Sequence, residues 1–228
     1  LNRDSAVYAS VGKFFRMPNF RNLYYASAVM VPNPNLSPES GWNYEAGYKY
    51  DSKGRRFTAS VFHTDVSDQI VGIKGTDGRS YQTNAASYRN TGVELSYAQD
   101  VDAHFSFNTG VTYGNPERKY KEGQDWVRAL GRYQMTAGVN YENRDLTAAL
   151  SLSYWGDRGY NSSSGERTRF YPISGNLLVS NLHVAYRFTP DLTGTFDVDN
   201  LFNRRDYTNS GTYRTVGRSF LVGVNYSF

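Results

Sequence analysis

Residues 133–154 read YQMTAGVNYENRDLTAALSLSY. Tyr133, Met135, Ala137, Val139 and Tyr141 alternate with Gln134, Thr136, Gly138 and Asn140, and Leu146, Ala148, Leu150, Leu152 and Tyr154 continue in the same style. A period of two is the signature of a half-buried β-strand. Folding the stretch about the Asn143–Arg144 midpoint sets Tyr141 opposite Leu146, Val139 opposite Ala148 and Tyr133 opposite Tyr154. The same exercise about Pro190 pairs Leu182 with Val198, Val184 with Phe196 and Phe188 with Leu192, and on the other face His183 with Asp197 and Asn181 with Asp199. Each hairpin gains one wholly apolar face and one polar or small face, so register and pattern agree.

Working outward, the same alternation covers the chain, and helical periodicity is nowhere convincing. About ten strands are expected, near 5–14, 42–51, 56–67, 88–99, 103–114, 130–142, 145–156, 176–189, 191–203 and 214–228. Short turns fall at Asp51–Arg56, Gln99–Ala103, Glu142–Asp145 and Thr189–Asp191. Long polar loops fall at Phe15–Gly41, Ser67–Ser87, Asn115–Ala129, Gly156–Gly175 and Arg204–Tyr213. Short turns at one end and long loops at the other describe a transmembrane antiparallel barrel in up-and-down order.

Composition bears on the same choice. The 228 residues hold 20 Tyr, 21 Gly and no Cys, and mean hydropathy is negative. A soluble two-sheet domain of this size would carry more aliphatic core. No apolar run is long enough for a membrane helix, which does not count against barrel strands. Without Cys there is no disulfide, thiolate metal site or thiol nucleophile. The net charge of +4 is dispersed, so no nucleic-acid footprint is read. The opening Leu1-Asn2-Arg3-Asp4, with no initiator Met or signal peptide, reads as a fragment whose export signal lay upstream.

Aromatic spacing chooses between a lipid-facing and a buried apolar face. Trp42 and Tyr50, Phe105 and Tyr113, Tyr133 and Tyr141, and Phe220 and Phe228 are each eight apart on one face. Eight residues span roughly 26 Å, or roughly 20 Å when tilted by about 40°. Rings at both limits with smaller apolar residues between them read as two interfacial girdles. Tyr50, Phe57, Tyr97, Phe105, Tyr141, Tyr186 and Phe188 flank the short turns and would form the periplasmic one. The alternate face carries Glu45, Lys49, Glu94, Asn108, Gln134, Asn140, His183, Asp197 and Asp199, which a dry core would penalise and a wet lumen would not.

Seven segments in chain order resemble TonB-dependent outer-membrane receptors. They are Phe14-Phe15-Arg16-Met17-Pro18; Asn33-Pro34-Asn35-Leu36-Ser37-Pro38-Glu39-Ser40; Trp42-Asn43-Tyr44-Glu45-Ala46-Gly47-Tyr48; Phe62-His63-Thr64-Asp65-Val66; Gly92-Val93-Glu94-Leu95; Asn200-Leu201-Phe202-Asn203; and Gly217-Arg218-Ser219-Phe220. The resemblance implies that residues 1–228 are the C-terminal portion of a 22-stranded barrel, here an open curved sheet without its plug domain. The terminal set Phe220, Val222, Val224, Tyr226 and Phe228 resembles the signal read by the barrel assembly machinery. The partners implied are the lipid bilayer with its lipopolysaccharide, a ferric siderophore or similar small ligand, and the TonB energising complex acting through the plug. The location implied is the bacterial outer membrane.

Enzyme chemistry is sought and not found: no catalytic set, resident cofactor or metal site is expected. His183 opposite Asp197 is the one His–carboxylate pair the register suggests, and a cross-strand polar pair accounts for it. A ten-stranded barrel enzyme and a passive pore remain the alternative classes. For the ligand, haem receptors of the family carry a His between the two segments around Phe15–Leu36, where this chain has Tyr24 and Tyr25. Ferric siderophores are acidic and aromatic-rich and suit Arg with Tyr or Trp in outer loops. The loop candidates are Tyr24, Tyr25, Tyr81, Arg89, Trp126, Arg128, Tyr160, Arg167, Arg169 and Tyr213. Cobalamin and haem stay open as other ligands of the same family.

Overall fold

The computed structural model describes residues 3–164, 167–173, 175–206 and 213–228. In chain order the elements are β1 (Ser5–Arg16), a five-residue helix α1 (Phe20–Tyr24), β2 (Met30–Val31), β3 (Glu39–Ser52), β4 (Arg55–Lys74), β5 (Ser80–Asp100), β6 (Phe105–Lys119), β7 (Val127–Arg128), β8 (Tyr133–Glu142), β9 (Leu146–Gly156), β10 (Gly159–Ser164), β11 (Arg167–Pro172), β12 (Leu177–Thr189), β13 (Leu192–Asp199) and β14 (Ser219–Tyr226). Ten of the strands form one antiparallel sheet in the order β1-β3-β4-β5-β6-β8-β9-β12-β13-β14, each beside its neighbour in sequence. β2 and β7 attach to β5 and β6, and β10–β11 is a separate hairpin. Among the described residues β1 and β14 do not pair, so the sheet is open. Among the described residues no helix is long and apolar enough to cross a membrane, which says nothing of barrel strands.

The pairing carries each face across the wall without a break. Starting from β3, Tyr44 pairs with Val11 and His63, Ala46 with Ala9 and Val61, and Tyr48 with Val7 and Ala59. The row continues from Val61 to Val93 and Tyr113. Farther along, Val111 meets Met135, Met135 meets Tyr154, Leu150 meets Leu182, Val184 meets Phe196, and Phe196 meets Val222. This face stays exposed from Val7 and Val11 to Val222 and Val224. Soluble monomers do not carry an apolar surface of this extent. The girdle rings meet across strands, Phe105 on Tyr141 at 4.7 Å and Tyr113 on Tyr133 at 5.2 Å.

On the polar face, large side chains lie flat over the glycines paired with them. Tyr8 covers Gly47, Phe62 covers Gly92 and Phe14 covers Gly41; a methyl group on Gly92 would stand 2.2 Å from the Tyr113 carbonyl and 2.5 Å from the Phe62 ring. Glycine therefore lets the sheet accept inward rings without a second protein layer. Tyr8 also donates to Glu45, and Lys49 stands 4.7 Å over the Tyr8 ring. His183 Nδ1 and Asp197 Oδ1 are 2.6 Å apart on this same face, as the register requires.

All four short turns form where expected. Lys53 and Gly54 both take positive φ (51° and 73°), the two-residue geometry that matches strand twist. The register about Asn143 differs from expectation by two residues: Tyr141 pairs with Ala148, Val139 with Leu150 and Met135 with Tyr154. The Asn143 side chain accepts from the Asp145 and Leu146 amides at 2.9 and 2.7 Å, and this Asx turn moves the fold point one residue on. An even shift leaves the faces unchanged. Phe188 does not pair with Leu192; a bulge between Arg187 and Thr189 sets Thr189 there, and Phe188 lies over Gly194.

The largest departure is at 67–87. In place of a loop, β4 and β5 run on past a bulge at Asp68 (φ 56°) as an outer hairpin that turns at Gly75–Arg79. Glu39, 4 % exposed, holds that bulge: its Oε1 accepts from the Ile70 amide at 2.7 Å while the carboxylate pairs with Arg16. Leu36, Val66, Val71 and Ala86, on or near this hairpin in sequence and pairing, are buried. The 15–41 segment, expected as loop alone, contributes α1 and β2, pinned by Asn22 Nδ2 to Gln82 Oε1 (2.9 Å) and Asn84 Nδ2 to the Ser37 carbonyl (2.9 Å). The 156–175 stretch likewise contains β10–β11, and β6 continues to Lys119. β13 ends at Asp199, before Asn200 (φ 52°), and β14 begins at Ser219, both shorter than expected. Of the expected loop 204–213, residues 207–212 lie outside those described.

Candidate functional site

The ten loop candidates separate into groups. Tyr24, at the end of α1, and Tyr25, its C-cap, are both at least half exposed, with Arg21 5.7 Å over the Tyr25 ring. Tyr81 lies in the outer hairpin, where its hydroxyl donates to Asp77 at 3.0 Å. Asp77 also accepts from Arg79, chiefly through its side chain and then its backbone amide, and these bonds hold the carboxyl below the usual carboxylate range.

Arg89 is a strand residue on the apolar face, paired in register with Asp65 and Glu117. It bonds Glu117 at 2.8 Å and stacks at 4.2 Å on Trp126. These two candidates thus meet at the outer rim of the wall and not over the lumen.

Arg128, in β7, ion-pairs with Asp157 at 2.9 Å and stands 4.1 Å over Phe170 of β11. With the bond from Asn161 to the Tyr120 hydroxyl (3.2 Å), it docks one face of the β10–β11 hairpin against the wall. The opposite face presents Tyr160 stacked on its register partner Tyr171 at 5.8 Å, with exposed Arg169 two residues along. Arg167 begins β11, and its side chain lies outside those described. Tyr213 is exposed, beyond the 207–212 stretch. The terminal set Phe220, Val222, Val224 and Tyr226 lines the apolar face of β14, with Phe228 just after it.

Topology also builds a recess that these candidates do not include. On the polar face, at the loop end of β5, β6, β8 and β9, Tyr88, Asn90, Gln134, Arg132, Trp155 and Arg158 surround one hollow. Arg118 stands beside Tyr88 in register. Arg132 Nη2 reaches Asn115 Oδ1 at 2.9 Å, and burial lowers the Arg158 guanidinium below its ordinary value while Asp206 opposes that shift. The Nε atoms of Arg118 and Arg132 and the Oδ1 of Asn90 are buried without a hydrogen-bond partner among the described residues. The hollow therefore offers the guanidinium groups of Arg132 and Arg158 and the rings of Tyr88 and Trp155, a set suited to an acidic, ring-bearing molecule. Arg132 precedes β8 and Arg158 follows β9, so spacing along the chain does not reveal the pair. Among the described residues no three His, Asp or Glu side chains converge as a metal site would require.

Known proteins share this architecture. The copper transporter OprC matches all of this chain over 38% of its own, with a TM-score of 0.76 at 21% identity. The ferric enterobactin receptor PfeA from Pseudomonas aeruginosa, as its G324V mutant, matches all of this chain over 39% of its own, at 0.76 and 19%. The ferric-catecholate import receptor Fiu from E. coli K12 gives 0.71 and 21%, with 34% of its chain covered. The chain thus spans less than two fifths of these structures, and at such identities the likeness is one of fold. The family described as TonB dependent receptor-like, beta-barrel matches residues 1–201. With that match over most of its length, this chain belongs to the TonB-dependent receptor β-barrel family.

Proposed function

We propose that this chain is the C-terminal part of the barrel wall of an outer-membrane receptor that takes up a scarce anionic ligand, a ferric siderophore, by TonB-dependent transport. The observation that carries the reading is the inward hollow of Arg132 and Arg158 with Tyr88 and Trp155, at the end of the wall where the long connections gather. Guanidinium groups pair strongly with acidic oxygens, and aromatic rings stack on planar donors. Two of the solved structures alike in fold are receptors for ferric enterobactin and ferric catecholates, which fits such a ligand. The outward apolar band supplies the lipid contact, and the energising complex would act through a plug preceding this segment. His183 with Asp197 remains a cross-strand pair, and the family is one of transporters and receptors, not enzymes.

The test is ferric enterobactin binding by the full-length receptor, followed by intrinsic tryptophan fluorescence. Arg132→Ala and Arg158→Ala should each weaken binding roughly tenfold, the worth of one charge-assisted hydrogen bond. Unchanged affinity in the double variant, or binding of haem or cobalamin in preference to every ferric siderophore offered, would refute the reading.

A further inference from the structure

We infer that Asp157 is a positioning residue for ligand capture, acting on the ligand only through Arg132, whose guanidinium it holds in place at the hollow. The inference rests on the ferric siderophore reading above and adds to it the residue that orders the site. Asp157 stands at the elbow where β9 gives way to β10, with a left-handed backbone (φ 50°) that Asp and Asn adopt more readily than most residues. Its Oδ1 accepts from Arg128 at 2.9 Å, and its Oδ2 lies 3.9 Å from Arg132 Nη1.

The two arginines use this carboxylate differently. Arg128 also donates to the Asp157 carbonyl and, through Nε, to the Leu130 carbonyl at 3.2 Å. Its fork is spent on the chain, and it fixes Asp157 while leaving the second carboxylate oxygen to Arg132. Arg128, a ligand candidate by residue type, thus stands two steps behind the ligand. On its other side Arg132 donates from Nη2 to Asn115 Oδ1 at 2.9 Å. Asn115 belongs to β6, Arg132 lies just ahead of β8 and Asp157 follows β9, so three neighbouring strands of the wall fix one guanidinium. The two anchors engage one hydrogen on each terminal nitrogen, out of five that a guanidinium can donate. A long side chain ordered beforehand gives up less rotamer freedom when it binds. A carboxylate also repels an anionic ligand, which would act in the opposite sense. Asp157 lies between two guanidinium groups that offset its charge, so the ordering of Arg132 prevails.

The experiment is a double-mutant cycle in the full-length receptor, reading ferric enterobactin affinity by intrinsic tryptophan fluorescence. Asp157→Asn keeps the side-chain shape and suits the same backbone. It should weaken binding roughly fivefold, a coupling of the size found within one ion-pair network. In an Arg132→Ala background the same change should cost nothing further. Asn115→Ala removes the other anchor and should behave alike, weakening binding only where Arg132 is present. Heat-modifiable mobility on gels checks that each variant is folded. An equal loss from Asp157→Asn with and without Arg132 means that it acts through the Arg128 contact; that overturns the inference and leaves the siderophore reading intact. Unchanged or tighter binding in Asp157→Asn also overturns it, because the carboxylate is then a counter-ion only. Wild-type affinity in the Arg132→Ala, Arg158→Ala double variant overturns the siderophore reading and this inference together.

Discussion

The two faces of this sheet invert the usual relation between burial and polarity. Along β3, Trp42, Tyr44, Ala46, Tyr48 and Tyr50 form the apolar side, and Asn43, Glu45, Gly47 and Lys49 the polar one. In a soluble sandwich the first set would meet a second sheet. Here no protein layer covers it, and only Leu36, Val66, Val71, Ala86, Ala129 and Val198 are buried hydrophobics among the described residues. The polar side instead folds its large side chains over paired glycines and joins carboxylates to Tyr, Arg and His. The difference teaches that stability of the wall comes from the strand ladder and from the medium outside, with little contribution from a core. The outer hairpin of β4 and β5 behaves differently again: it is tied down by hydrogen bonds to Glu39, Asn22 and Ser37.

The largest expected effect separates the faces directly. Leu150, between Val139 and Leu182 in the middle of the apolar band, should cost about 2–4 kcal/mol when changed to Arg, by denaturant titration in lipid. The adjacent Ser151→Arg, on the polar face, should stay within about 0.5 kcal/mol. Similar costs for both would break the comparison.

Next comes the glycine device. Gly92→Ala forces a methyl group against the Tyr113 carbonyl and the Phe62 ring, and should destabilise by about 1–3 kcal/mol. A Cβ on Gly12 meets nothing within 4 Å, so Gly12→Ala should be close to neutral in the same assay.

The outer hairpin is distinguished from the wall by Glu39→Ala. The change strands the Ile70 amide and should cost about 1–3 kcal/mol locally. Hydrogen exchange should speed up over residues 69–86 and stay unchanged over 133–142.

The smallest effect is at a short turn. Asp102 accepts from the His104 amide at 2.7 Å and the Phe105 amide at 2.8 Å, and these bonds hold its pKa below the ordinary value. A depressed carboxyl pKa stabilises above the unfolded pKa of about 3.9, and the contribution fades as pH falls through the lower folded value. The Tm difference between wild type and Asp102→Asn should therefore be present at pH 7 and shrink below about pH 4.

Much of the wall was legible because alternation is a local property. Ten strands, four short turns and the pairing of His183 with Asp197 follow from period-two pattern and turn chemistry. The register about Asn143 was not, because one side chain accepting two amides moved the fold point. The outer hairpin hid behind its Ser, Thr, Asn and Gln content, which reads as loop until Glu39, about thirty residues upstream, is seen to cap its bulge. The candidate site was legible by residue type and not by place. Arg89 and Trp126 stack on each other on the outward face, while Arg132 and Arg158 converge only through strand pairing.

The claim that apolar side chains face lipid is tested most directly by reading both faces of one strand. Single cysteines from 133 to 142 in the full-length receptor, spin-labelled and reconstituted in bilayers, report collisions with lipid-dissolved oxygen and with a water-soluble nickel chelate. The account predicts oxygen access at 135, 137 and 139 and chelate access at 134, 136, 138 and 140, alternating residue by residue. Chelate access at 135, 137 and 139, or protection of those positions from both reagents, would contradict it.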